Sequence, residues 1–429
     1  VMGRRLDKAK FEEWKTIYYG LEGWDAKTGW PKRSTLEKMD MTFVADELAK
    51  AGRIGAEAHR KAADYTLAKT RFSLPHLALD GALLLFFTLG GGLQWLHDLA
   101  AGLTGSPLWQ GVILLLGLSA ISAAAELPLS LYRQFVIETR FGFNRQTLAG
   151  FFADLAKQAL LGLALGVPLI LLVLWLMAAM GDLWWLWVWL AWMAFNLLVL
   201  AVYPTFIAPL FNQFKPLEDA GLKARIEGLL ARAGFHSRGV FVMDGSKRSS
   251  HGNAYFTGLG RAKRIVFYDT LLDQLSPDQT EAVLAHELGH YKRRHVVKRI
   301  ALMFALSLVM LYVLAQFKQA DWFYAGLNVD AHTDAVALAL FFLVLPVFMF
   351  PVTPLMSLYS RKHEFEADAY AAGQSHPAHL ISALVALYRD NAATLTPDPV
   401  YSLFYDSHPK ATERIARLQA LDTTQAMRA

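Results

Sequence analysis

The chain of 429 residues contains no cysteine. No disulfide can form, no thiol can act as nucleophile, and any zinc site must be built from histidine and carboxylate ligands. A lipid anchor on a C-terminal cysteine of its own is excluded for the same reason. Charge is also scarce. Only 18% of residues are Asp, Glu, Lys or Arg, against 54% hydrophobic ones, and mean hydropathy is positive. That balance is wrong for an ordinary soluble enzyme and right for a polytopic membrane protein. Basic stripes interleaved with aromatics are missing, and so are nucleic-acid motifs. The formal net charge of +5 therefore reads as loop Lys and Arg beside membrane segments, and no nucleic-acid partner is expected. Internal repeats and low-complexity tracts are absent too.

What is present is a set of six long apolar stretches, at about 77–97, 108–128, 158–180, 184–206, 299–318 and 335–358. Each approaches or exceeds the ~20 residues that span a bilayer. The clearest is the charge-free run from Leu183 to Phe214. Its Trp184, Trp185, Trp187 and Trp189 sit at one end, as an interfacial belt does. One such run can be a buried core helix, but six cannot all be. The expected fold is an α-helical polytopic membrane protein of about six transmembrane helices, embedded in a lipid bilayer.

Loop charges orient it. Arg60, Lys61, Lys69 and Arg71 precede the first span, and Arg133, Arg140, Arg145 and Lys157 follow the second. The segments 207–298 and 361–429 are rich in Lys and Arg as well. The alternate loops hold Lys318 at one edge and otherwise only Asp98, Asp182, Asp321, Asp330 and Asp334. The positive-inside rule makes the basic side cytoplasmic. The chain then divides into a polar extension (1–55), four spans (56–216), a polar segment (217–298), two spans (299–358) and a polar tail (359–429). The polar segment mixes helical patterns with a strand-like run, Arg264 to Tyr268, and an extended stretch, Asn253 to Thr257. The tail reads as amphipathic helices around a turn at Pro397 and Pro399.

Chemistry concentrates in Glu281-Ala-Val-Leu-Ala-His286-Glu287-Leu-Gly-His290, an H-E-x-x-H pattern. No proline interrupts Gln279 to Val297, so one helix is expected there. Positions i and i+4 share a helix face, so His286 and His290 can grip one metal ion. Glu287, between them, can reach a water and act as general base. The bland alternative is a solvated His and Glu face. A catalytic zinc takes a third protein ligand and leaves one position open. The extension that would supply a third histidine is absent, since position 293 is Arg rather than Gly. His295 lies five residues past His290 and points elsewhere on a continuous helix. The better source is Ser360-Arg361-Lys362-His363-Glu364-Phe365-Glu366-Ala367-Asp368, where spacing alone leaves Glu364 and Glu366 both open as ligand. Asp368, four residues past Glu364, can accept a hydrogen bond from a ligand histidine.

With these residues the chain resembles the CAAX prenyl protease 1 family, type I membrane zinc metalloendopeptidases. Ser360, Arg361, Glu364, Phe365, Ala367 and Asp368 match its Ser-Arg-x-x-Glu-Phe-x-Ala-Asp motif. Further blocks are Lys61 to Tyr65, Phe135 to Asn144, Tyr203 to Asn212, Asp244 to Phe256, Ser407 to Pro409 and Glu413-Arg414. The resemblance runs from about Ala58 to Arg417. It implies one zinc ion with Glu364 as its third ligand. It also implies helices around an intramembrane chamber with the zinc site at its cytoplasmic end. The His251-Gly-Asn253-Ala254-Tyr255 segment matches an edge strand on which peptide substrates pair, with Gly252 in place of the usual Ser. Asn253 would orient the peptide or the oxyanion. Arg361, His408 and Arg414 would brace the zinc ligands from behind or bind substrate; the bland reading of each is a structural hydrogen bond. The Phe-Gly-Phe-Asn block reads as packing.

The implied activity is hydrolysis of peptide bonds near the C-terminus of membrane-associated substrates, and the arrangement suits prenylated Cys-a-a-X proteins. Alternatives are a heat-shock-type quality-control protease of the wider superfamily, and an inactive transporter or scaffold relative. A protease with its motif deep in lipid is disfavoured by Lys292, Arg293 and Arg294. Residues 1–55 are expected to differ. Family members carry seven spans where six are counted here. Tyr18 to Asp25, Gly29 to Pro31 and Val44 to Gly52 resemble the C-terminal tail of tungsten aldehyde ferredoxin oxidoreductases. With no cysteine for an iron–sulfur cluster, a fused tail without redox function is expected.

Overall fold

The computed structural model describes residues 15–16, 18–19, 56–235, 237, 239–257, 264–394 and 397–426. Almost all of the oxidoreductase-like blocks lie outside these. The chain forms two units, Val1–Thr66 with Ala392–Thr394, and Leu67–Asn391 with Leu395–Ala429. In the first, the described residues are chiefly the start of a helix. The second holds the remaining elements.

The longer helices are α1 (Ala56–Phe87), α2 (Gly92–Leu103), α3 (Pro107–Tyr132), α4 (Leu148–Ala179), α5 (Trp184–Val202), α6 (Ala220–Arg232), α7 (Pro277–Lys292), α8 (His295–Phe317), α9 (Asp334–Met349), α10 (Thr353–Gln374), α11 (Pro377–Asp390) and α12 (Ala411–Ala426). Among the described residues, five helical runs are long and apolar enough to cross a membrane, or six if one bent pair counts as a span. The bent pair is α1 and α2, which meet at 55°. The stretch expected to span at 77–97 is therefore not one helix. α1 stops at Phe87, and Gly91, at φ 73° in a left-handed turn that glycine adopts without strain, starts α2 in a new direction where hydropathy alone runs on. The stretch at 335–358 is also interrupted. A 3-10 turn at Phe350–Val352 separates α9 from α10, where Pro351 has no N–H to continue the ladder.

Leu160 on α4 and Phe348 on α9 remain 67% and 69% exposed. Apolar surface of that extent suits lipid contact rather than water. Facing inward, Leu93, Leu114, Leu174, Leu314 and Leu340 share one apolar core. Trp189 Nε1 donates to the Phe304 carbonyl at 2.9 Å, tying α5 to α8.

Residues 214–268 hold a four-stranded sheet in the order β1 (Phe214–Pro216), β2 (Val240–Met243), β4 (Arg264–Tyr268), β3 (Ala254–Thr257), with β1 just ahead of the polar segment and the other three inside it. β2 and β4 are parallel; the other pairs are antiparallel, with Ala254 opposite Phe267 and Thr257 opposite Arg264. The strands expected from sequence are β4 and β3. β1 and β2 were hidden, because three residues ending in proline and a four-residue apolar run carry no decisive periodicity.

Candidate active site

α7 starts at a strong local signal. Ser276 caps it and Gln279 reaches back to complete a capping box, with Pro277 at the first helical position. The helix does not run on to Val297 as its lack of proline suggested. It stops at Lys292, Arg294 turns left-handed at φ 56°, and α8 begins afresh at His295. α10 crosses α7 at the level of the H-E-x-x-H turns. There Ala367, fully buried, faces Gly289, which has no side chain to hold the helices apart.

This crossing brings His286, His290 and Glu364 together. The two Nε2 atoms are 3.2 Å apart. Glu364 Oε2 lies 3.4 Å from His286 Nε2, and Oε1 lies 3.3 Å from His290 Nε2. A tetrahedral ion with bonds of about 2.0–2.1 Å sets its ligand atoms about 3.3 Å apart, so all three separations fit one ion. Glu364 Oε2 is buried with no hydrogen-bond partner among the described residues, an orphan acceptor that a cation would satisfy. Glu366, the other carboxylate open on spacing, turns instead to His295 Nε2 at 3.0 Å.

The ligand orientations are held from behind. His286 Nδ1–H points at Asp368 Oδ1, 2.8 Å away, which leaves the Nε2 lone pair facing the cluster. Arg414 grips Asp368 with both arms of its fork, Nε to Oδ2 at 2.8 Å and Nη2 to Oδ1 at 2.6 Å. Burial opposes charge on His286, but Asp368 and then Glu364 outweigh it and raise the imidazole to about 9; a cation held at Nε2 would take the place of the second ring proton. Burial pushes the Glu287 carboxyl up, against the opposing pull of His286 and His290.

A cleft of about 240 Å³ opens over the cluster, with Glu287, Asn253, Ala254, His408 and Arg414 among its walls. His408 Nε2 is 3.5 Å from Glu364 Oε1. β3 is an edge strand, with its outer backbone edge free of strand partners among the described residues. Tyr255 turns its side chain away from the cleft. Side chains alternate along a strand, so with Ala254 on the cleft the Tyr255 ring lies on the other face. Its hydroxyl approaches Met243 Sδ at 3.8 Å, and burial raises the phenol to about 12. Only its backbone remains for a peptide. Arg361 Nη1 donates to the carbonyls of Ser402 and Asp406 at 2.7 and 2.9 Å, which fixes the segment before His408. Sequence reading missed the α11 wall, including Leu384 and Tyr388, whose apolar helical spacing was the available signal. It also missed His295, because the break at Arg294 undoes the phase of a continuous helix.

Comparison with known proteins identifies the family. Residues 38–213 match the family model "CAAX prenyl protease N-terminal, five membrane helices", and residues 216–422 match "Peptidase family M48". The first match takes in residues 38–55, part of the segment expected to be a foreign tail. CAAX prenyl protease 1 of Saccharomyces cerevisiae is 36% identical over 85% of this chain and 86% of its own length. The Homo sapiens homologue is 31% identical over 89% of each. The crystal structure of S. mikatae Ste24p superposes with a TM-score of 0.80 at 33% identity, over 85% of this chain and 90% of that one. Two family models that together match residues 38–422, and relatives alike over 85–89% of the chain, show that it belongs to the CAAX prenyl protease 1 family, multi-pass membrane metalloendopeptidases of peptidase family M48.

Proposed function

We propose that His286, His290 and Glu364 hold one zinc ion, and that Glu287 is the general base for hydrolysis of a peptide bond near the C-terminus of a membrane-associated substrate. The observation that carries this is the set of three ligand separations, 3.2, 3.3 and 3.4 Å, each close to a tetrahedral zinc edge. Zinc bound there would supply Lewis-acid activation of a water and of the scissile carbonyl. Glu287 takes the proton from the attacking water at its carboxylate and passes it to the leaving amine. Its raised affinity for protons suits that shuttle. The free edge of β3 pairs with an extended substrate, with Asn253 and Ala254 beneath the scissile bond. His408 and Arg414, at the cleft wall beside Glu364, offer N–H donors where charge develops on the carbonyl oxygen.

The relatives carry the name CAAX prenyl protease 1. The same substrate class, a prenylated C-terminal segment, is the reading for this chain, with the cleft facing the cytoplasm. The test is cleavage of a farnesylated C-terminal peptide and its plain counterpart by purified protein, with and without chelator. Cleavage that chelator stops and zinc restores is expected, with the farnesylated peptide preferred. Cleavage indifferent to chelator would overturn the metal assignment, and equal rates on both peptides would overturn the substrate class.

A further inference from the structure

Two histidines face the cluster, and they are held differently. His286 Nδ1 meets a carboxylate directly. His290 Nδ1 instead meets a third imidazole, His295 Nδ1, at 3.0 Å. The far nitrogen of that ring, His295 Nε2, meets Glu366 Oε2, also at 3.0 Å. His295 is 1% exposed. Its ring is fixed by stacking on His363, with centroids 3.9 Å apart and planes 11° apart, and His363 is held in turn by the edge of Tyr359 at 4.2 Å.

The protons in this row have one consistent arrangement. Only one hydrogen fits between the two Nδ1 atoms. If His290 Nε2 offers its lone pair to the cluster, a neutral His290 carries its proton on Nδ1 and donates it to His295 Nδ1. His295 must then be neutral with its proton on Nε2, which donates to Glu366. The opposite assignment would put a hydrogen on His290 Nε2, pointing at His286 Nε2, 3.2 Å away, and close the site to a cation. The carboxylate at the end of the row therefore selects the tautomer of His290 through the imidazole between them.

We propose that Glu366 and His295 are positioning residues for His290, a two-step relay that does for this ligand what Asp368 does directly for His286. The inference rests on the reading of His290 as a zinc ligand. It also explains the Arg294 break, which places His295 at the start of α8 and returns its ring to His290.

The experiment measures zinc affinity by chelator competition, and the visible absorption of the cobalt(II)-loaded protein, in the parent, His290→Ala, Glu366→Ala, Glu366→Gln and His295→Phe. Outer partners of metal-ligating histidines are worth about 10–100-fold in metal affinity. Glu366→Ala and His295→Phe should lose affinity in that range and shift the cobalt bands. Glu366→Gln keeps an oxygen that accepts from His295 Nε2–H, so it should bind zinc within about threefold of the parent. Phe preserves the stack on His363, so the His295→Phe loss reports the missing nitrogen. Zinc bound as tightly by Glu366→Ala as by the parent, or Gln and Ala variants equally weakened, would overturn the relay. If His290→Ala retained zinc, the ligand assignment itself would fall; if it lost zinc while Glu366→Ala did not, the relay alone would fall.

Discussion

Gly289 and Ala367 touch where α7 crosses α10. A Cβ built on Gly289 would lie 2.8 Å from the Cα of Ala367 and 2.9 Å from its carbonyl oxygen, distances real side chains do not adopt. Gly289 stands between His286 and His290 in sequence, and Ala367 between Glu364 and Asp368. This close approach of the two helices is thus level with the His286, His290 and Glu364 cluster. A wider crossing would draw Glu364 off the histidines.

The first prediction follows from that contact. Gly289→Ala must push α10 away, because the obstruction is backbone. Overpacking of this kind costs about 1–3 kcal/mol, and the displacement falls on Glu364. Zinc affinity should drop at least tenfold, together with the melting temperature. Gly228→Ala, on α6, is the control. Its Cβ would meet only the far end of Arg232 at 3.6 Å, and Ala is the better helix former by about 1 kcal/mol. Parent-like zinc affinity in Gly289→Ala would show that the crossing distance does not set the site.

Arg414 is the second case. It is 5% exposed and binds Asp368 through two parallel N–H···O contacts. Lysine keeps the charge but not the fork. Arg414→Lys should free Asp368 to swing and loosen His286, lowering zinc affinity by about tenfold. Chelator competition would detect it. An unchanged affinity would make the salt bridge a packing feature only.

How much of this was legible in the sequence depended on range. His286 and His290 were readable because i, i+4 spacing is local. Glu364 was not separable from Glu366 by spacing, since both lie on α10; the resemblance chose, and the structure sends the two carboxylates to different histidines. His295 was misread because nothing around Arg293 and Arg294 announces a stop: neither is Gly or Pro, yet Arg294 takes the left-handed turn. The apolar runs were readable from composition, but the 55° bend at Gly91 was not, because hydropathy is blind to backbone dihedrals. β2 and β4 lie adjacent and parallel, a long-range pairing no local pattern records.

Topology makes the third prediction. The positive-inside rule applied to the basic loops predicts that the segment 207–298 faces the cytoplasm. The chain has no cysteine, so one introduced thiol reports cleanly. Ala224 is exposed on α6 and tolerates the change. Ala224→Cys should react with a membrane-impermeant maleimide in inside-out vesicles and stay unlabelled in intact cells. Labelling of intact cells would invert the orientation.

The last prediction concerns Glu287. It follows His286 directly, so its side chain leaves α7 about 100° around the helix from that ligand. It lines the cleft, where burial has raised its carboxyl above the ordinary range. Gln is nearly isosteric and should leave His286, His290 and Glu364 in place, so zinc should stay bound one per chain. It cannot accept a proton, and loss of a general base costs about 10²–10⁴ in rate. The pH profile supplies an independent readout. The working form of Glu287 is the carboxylate, so parental activity should fall as pH drops through its pKa. That fall is the acid limb of the profile. In Glu287→Gln any residual activity should lack this limb. Full zinc occupancy with activity within a few-fold of the parent, or an acid limb that survives the substitution, would assign the base to another residue.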